Sequence, residues 1–250
     1  MLTFILFLNY LFKKIFIFSF INDMNVFLVI FISIFLYTSD LMARYIYVRT
    51  NPTTTIIPHN VRWFFIHALS NGIIASLGTG DVIYCLHNTG TCALQSWDNY
   101  GSIALLFALL FHIYHIVFFY KYLTSSEWLH HGLMIGIAGP MSLYHPSRAT
   151  IVSLCFLTGY PGMIDYTMLW CVKMNWLAKK RERLYNSKIN IWVRSPGCMF
   201  AVFLSLPLII NRNILPIIMA TLCFWNAQYY MSLAINASYL TGQNLQVEGN

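Results

Sequence analysis

Five of the eight histidines in this 250-residue chain fall inside apolar stretches: His67, His112, His115, His130 and His131. Asp165 joins them in a sixth such position. Imidazole titrates near neutrality, so it can take up a proton and return it, and a carboxylate beside it orients the ring and favours the basic form. In lipid such groups are costly and mark function more often than they do in a soluble core. His112 and His115 are three residues apart and can project from one helical face. His130 and His131 are adjacent, about 100° apart around a helix, so one can face the bundle interior while the other supports it. At 1.5 Å per residue, all six groups lie roughly 6–15 Å from the expected cytosolic helix ends. They occupy four helices at one depth. A lone intramembrane histidine can also be a plain interhelical hydrogen-bond former, worth under about 1–2 kcal/mol, which is the alternative for His67 alone. For Asp165 the alternative is neutralisation by Lys173 or a neighbouring histidine. Pro161, between Gly159 and Gly162, is expected to kink the helix that carries Asp165.

The element that must position these groups is a membrane bundle. Hydrophobic residues make up 58% of the chain and charged residues 9%, against about 25% charged in an ordinary soluble domain. A soluble fold of this length could not clothe its surface with so few charges. The expected fold class is an all-α integral membrane protein, a bundle of about seven transmembrane helices at about 20 residues per span. The spans are predicted over 25–45, 61–86, 100–122, 127–144, 149–176, 197–210 and 215–240. An N-terminal hydrophobic extension or anchor occupies 1–24, a first span and cytosolic loop 25–60, the membrane domain 61–240 and a polar tail 241–250. The N-terminal segment is interrupted by Lys13 and Lys14, and each lysine costs about 2.5–3.5 kcal/mol at a helix centre. It therefore spans poorly, and it lies on the membrane surface, is removed, or precedes a working start at Met24.

Charge sets the orientation. Lys179, Lys180, Arg181 and Arg183, with Lys188 and Arg194, form the densest positive loop and are predicted to be cytosolic. Counting outward, the 44–62 loop and the Lys121 turn are cytosolic, and the 87–99 loop, without Lys or Arg, is lumenal. Arg148 and Arg212 are the exceptions. The C-terminus then falls in the cytosol, where the Asn236-Ala237-Ser238 sequon cannot be glycosylated. The net charge of +7 is thus distributed as topology-setting loops rather than as a nucleic-acid-binding face. Trp63, Trp97, Trp128 and Trp176 near span ends read as an interfacial belt. Cys85 and Cys92 bracket a short polar turn; they pair if that turn faces an oxidising lumen, or remain two free thiols. The other cysteines sit mostly in apolar segments, where a thiol packs as a small hydrophobe.

The run Phe111-His112-Ile113-Tyr114-His115, followed by Ser126-Glu127-Trp128-Leu129-His130-His131-Gly132, resembles the core of the TLC domain family. In that family a tyrosine-rich helix leads through a short turn into a helix opening with a double histidine. Arg62-Trp63-Phe64-Phe65-Ile66-His67 resembles the family's opening helix, and Asp165 with Val172-Lys173-Met174-Asn175-Trp176 is similar to a segment of ceramide synthases. The resemblance spans 62–240. It implies helices enclosing a lipid cavity in the endoplasmic reticulum or a related endomembrane. In its ceramide synthase branch it implies N-acylation of a sphingoid base by acyl-CoA, with the histidine pair central to catalysis. His115 stands where the family carries an aspartate, and Tyr160-Pro161-Gly162 has no counterpart in it.

On this reading the chain acts on membrane lipid. His130 or His131, held neutral by Asp165 or a neighbouring histidine, deprotonates an amine or takes the acyl group itself. His67, His112 and His115 line the substrate, and Lys179, Lys180, Arg181 and Arg183 hold the phosphates of acyl-CoA, the co-substrate. No resident cofactor or metal is expected. The alternative is a non-enzymatic lipid-binding or lipid-homeostasis protein of the same family. A membrane di-iron hydroxylase is a third class, because His-x-x-His and His-His resemble histidine boxes. Those sites need about eight ligands, and no histidine follows His145.

Overall fold

The computed structural model describes residues 26–53, 56–210 and 214–248, with side chains up to residue 240. The expected anchor over 1–24 lies outside the described residues. The described chain is all-helical, 88% helix with no strands. It runs as seven helical columns: α1 Val26–Thr50, α2 His59–His87, α3 Asn99–Phe119, α4 over 125–144, α5 over 148–173, α6 over 179–204 and α7 Ile214–Glu248. Short 3-10 turns, Tyr120–Tyr122 and Cys92–Leu94, close the loops at either end of α3. Three helices, Val26–Thr50, His59–His87 and Asn99–Tyr122, are long and apolar enough to cross a membrane.

Three of the other four columns are interrupted. α4, α5 and α6 each contain one π turn, over Met134–Ala138, Cys155–Gly159 and Asn190–Arg194. Each π turn ends two residues before a proline: Pro140, Pro161 and Pro196. Proline has no N–H, and its ring collides with the carbonyl four residues back. That carbonyl belongs to Gly136, Leu157 and Trp192 in turn, the middle residue of each π turn. Widening the helix by one residue there relieves the collision. Where a kink is expected at Pro161 the structure carries a π turn, as it does before Pro140 and Pro196.

Two boundaries read from the sequence are corrected. The basic segment 179–194 is not a loop; Lys179–Ile189 is α-helical and runs through the π turn into Ser195–Leu204. A helix with charge on every turn has no apolar signal, which is why hydropathy reads it as a loop. The backbone of 241–248 is likewise helical, continuing α7 rather than forming an irregular tail. α5 ends where Asn175 adopts φ 61°. There Trp176 N–H donates to Cys171 C=O at 2.8 Å and Asn175 N–H to Val172 C=O at 3.1 Å, the paired bonds that close a helix through a left-handed residue.

The columns define two ends. At one end His59 stacks on Tyr122 at 4.1 Å, and Tyr47, Val61 and Met174 close a small core. At the other, Cys85 and Cys92 form a disulfide with Cα atoms 5.2 Å apart. There Ser147 Oγ donates to Ala93 C=O at 2.8 Å, and Arg148 pairs with Asp81 at 2.5 Å. α2 runs through the centre, packed against α1, α3 and α5.

α2 and α5 approach closely through small residues. A Cβ on Gly159 would lie 3.2 Å from Ala75 Cα, and one on Gly78 would lie against Cys155 Sγ. The contact is laced by Thr158 Oγ1–H to Asn71 Oδ1 at 2.7 Å and by Thr79 with the Tyr160 hydroxyl at 2.8 Å. Membrane helices gain from such close backbone packing and side-chain bonding because apolar burial gives them little. Gly159→Val is expected to destabilise the protein by about 1–3 kcal/mol, since the obstacle is backbone that no rotamer can move. Thermal melting of detergent-solubilised protein tests this, and an unchanged midpoint would contradict the close approach.

Candidate functional site

The histidines are placed by helix starts and helix periodicity. α4 opens on a reciprocal cap: Thr124 Oγ1 accepts from Glu127 N–H at 3.3 Å, and Glu127 Oε2 accepts from Thr124 N–H at 2.7 Å. This fixes the first turn, and His130 and His131 follow in the second. α3 starts at Asp98, whose carboxylate accepts from Gly101 N–H at 2.8 Å, and carries His112 and His115 on its buried face. α2 supplies Trp63 and His67, one turn apart and both buried.

The five imidazoles form one cluster. Ring centroids lie 4.2 Å apart for His67 and His115, 5.6 Å for His115 and His131, 5.2 Å for His112 and His131, and 5.4 Å for His130 and His131. Trp63 packs on His115 at 4.3 Å and on His67 at 4.9 Å, and Tyr166 covers the far side of His67 at 4.1 Å. Phe111 sets its edge against His67 and His115. His67 and His115 stack face to face, whereas His112 and His131 meet edge to face. Among the described residues no three His, Cys, Asp or Glu side chains are grouped to hold a metal ion.

Hydrogen bonding distinguishes the members. His67 Nδ1 lies 2.8 Å from Trp63 C=O and His112 Nδ1 2.6 Å from Ala108 C=O. A carbonyl only accepts, so both nitrogens carry the proton. Neutral His112 then has its lone pair on Nε2, which lies 3.2 Å from His130 Nε2. His130 Nε2–H donates to it, and the neutral His130 ring keeps its own lone pair on Nδ1. His130 is exposed at the surface of the bundle, whereas His131 is buried behind it. Both nitrogens of His115 and of His131 are buried without a hydrogen-bond partner. Four unanswered imidazole nitrogens in one cluster are a concentration of polar cost that a structural role does not require.

Asp165 stands apart. It makes no hydrogen bond or ion pair with any of the five histidines among the described residues, and its Oδ1 is buried without a partner. Its neighbour Tyr166, not Asp165, touches the cluster. Lys179, Lys180 and Arg181 lie exposed in the first turns of α6 with Arg183 half-buried, at the same end of the bundle as the start of α4. Glu182 between them is buried, and that burial pushes its carboxyl above the ordinary range.

Three participants escape the sequence reading. Trp63 reads as an interfacial tryptophan but forms the floor of the cluster. Tyr166 lies one residue beyond the aspartate that drew attention. Arg194 reads as a loop charge but is buried. The i,i+4 spacing of Trp63 and His67 was the available signal for the first; the others depend on helix rotation past a π turn. No family model, curated protein or solved structure matches the chain.

Proposed function

We propose that this chain is a TLC-like membrane protein with about seven crossings that acts on lipid in the endoplasmic reticulum or a related endomembrane. Its reaction is transfer of an acyl group from acyl-CoA to an amine or hydroxyl. The observation that carries this reading is the His112–His130 bond at 3.2 Å, with His112 itself anchored on Ala108 C=O. It leaves an exposed imidazole nitrogen free to accept a proton and a second imidazole to hold the ring in position.

His130 Nδ1 takes the proton of the acceptor as its nitrogen or oxygen attacks the thioester carbonyl carbon. The resulting imidazolium gives that proton to the sulfur of the departing CoA as the carbon–sulfur bond breaks. His112 orients His130 and shares the developing positive charge through the same hydrogen bond. This gives His112 the orienting role the sequence suggested for Asp165. His131 packs the back of the site, His67 and His115 extend it inward, and the basic face of α6 supplies Lys179, Lys180, Arg181 and Arg183 for CoA phosphates.

Orientation follows from charge and cysteine chemistry. The end with α6's basic start is cytosolic, and the end with the Cys85–Cys92 disulfide faces an oxidising lumen. Two crossings, α6 and α7, counted from the cytosolic start of α6 then leave the C-terminus in the cytosol. Cysteine-accessibility labelling is expected to reach residues 88–91 only from the lumen and residues 179–183 only from the cytosol; the reverse would overturn the orientation.

The sealed nitrogens of His115 and His131 favour a second reading, a lipid-binding protein that does not turn over. Purified protein given long-chain acyl-CoA and a panel of amine and hydroxyl lipids separates the two. Product formation supports the transferase. Folded protein that consumes no acyl-CoA leaves the binding reading.

A further inference from the structure

Arg194 is 8% exposed, at the end of the π turn in α6. Its Nη1–H donates to Asn190 Oδ1 at 3.0 Å, and its guanidinium carbon lies 5.2 Å from the centre of the Tyr230 ring. Its Nε is buried with no partner. The ion pairs among the described residues are Arg44–Asp40, Arg62–Asp40 and Arg148–Asp81. The buried Arg194 has no carboxylate in contact among the described residues, while Arg62 and Arg148, with side chains 15% and 18% exposed, are each paired. A guanidinium cannot shed its proton to escape burial. Leaving it uncompensated in a low-dielectric interior is strongly unfavourable.

We propose that Arg194 is an anion-binding site that takes a phosphate oxygen of a ligand seated inside the bundle between α6 and α7. The planar fork suits a phosphate or carboxylate, and a neutral amide and a phenol ring are the partners it keeps when the anion leaves. Phosphate could come from a membrane lipid or from a soluble donor. Arg194 lies beyond the exposed Lys179, Lys180 and Arg181 along α6, inside the apolar bundle, which suits a lipid head. The site stands without acyl transfer, because its test reads binding alone.

The competing occupant is Asp165, whose buried Oδ1 is also unanswered. Thermal stabilisation of the full chain in nanodiscs tests the assignment, with phosphatidic acid, uncharged diacylglycerol, inorganic phosphate and acyl-CoA as separate probes. Phosphatidic acid is expected to stabilise the wild type and diacylglycerol not to. Arg194→Gln should weaken that response at least tenfold, Arg194→Lys should weaken it less, and Asp165→Asn should preserve or strengthen it. A response to phosphate or acyl-CoA alone, lost in Arg194→Gln, keeps the anion site and assigns it to the soluble donor. The proposal is overturned if no anion stabilises the wild type, or if Arg194→Gln binds as the wild type does. It is also overturned if the Arg194→Gln, Asp165→Asn pair restores stability lost in each single variant without any lipid response. Should Arg194→Gln fail to fold, the wild-type comparison of charged and uncharged lipid and the Arg194→Lys variant still decide.

Discussion

On the proposed reaction, His130→Ala is expected to lower acyl transfer by about 10²–10⁴-fold, the range for loss of a general base. The fold should survive, because the His130 side chain is exposed and its one hydrogen bond is to His112. His131→Ala removes a buried ring but also two buried nitrogens that have no partner, so lost packing and relieved polar cost oppose each other in stability. Its effect on rate should be smaller and arise through misplacement of His130. His112→Phe keeps the ring volume and deletes the acceptor, so it should reduce kcat with little change in KM. Asp165→Asn should leave kcat within a few-fold of wild type, since no imidazole touches the carboxylate. Steady-state rates on folded, purified variants check all four. A His131→Ala loss exceeding that of His130→Ala would reverse the assigned roles of the pair.

The largest stability effect is expected at Arg62. Asp40 is 1% exposed in α1, and Arg62 of α2 holds both its oxygens, Nε at 2.5 Å and Nη2 at 2.6 Å. Arg44, one turn along α1, adds a third contact at 3.2 Å with a side chain 43% exposed. Breaking a buried pair by removing one partner costs about 3–5 kcal/mol, because the remaining charge stays buried. Arg62→Ala should therefore lower the melting midpoint sharply, and Arg62→Lys should recover only part of it because an ammonium cannot span both oxygens. Arg44→Ala should cost about 0–1 kcal/mol, as for other exposed pairs. Equal losses from Arg44→Ala and Arg62→Ala would show that the forked contact does not tie α1 to α2. The pair also sets the site, since α2 carries Trp63 and His67 directly after Arg62.

Much of this molecule is legible in the chain because two of its rules are local. Apolar residues with few charges require helices in lipid, since every backbone polar group must be satisfied within its own segment. A rise of 1.5 Å per residue then turns sequence distance into depth, so the shared level of His67, His112, His115, His130 and His131 could be estimated before any coordinates. The i,i+3 spacing of His112 and His115 likewise put both on the buried face of α3. The prolines are visible in the sequence, but the π turns that precede them are not.

Rotation about the helix axis was not legible, and the reason is mechanical. Each residue turns the helix by about 100°, so one extra residue in a π turn swings everything beyond it to a new face. Asp165 lies past the π turn at Cys155–Gly159, and Arg194 lies within the one at Asn190–Arg194. Depth alone grouped the aspartate with the histidines, and charge alone put the arginine in a loop. Packing instead presents Tyr166 to His67 and seals Arg194 between Asn190 and Tyr230. Which imidazole donates to which was equally hidden, because it depends on Ala108 C=O fixing the His112 tautomer and on α4 meeting α3 at the height where His130 reaches it. Levels along a helix follow from counting residues, whereas facing partners follow from the angles at which separate helices pack.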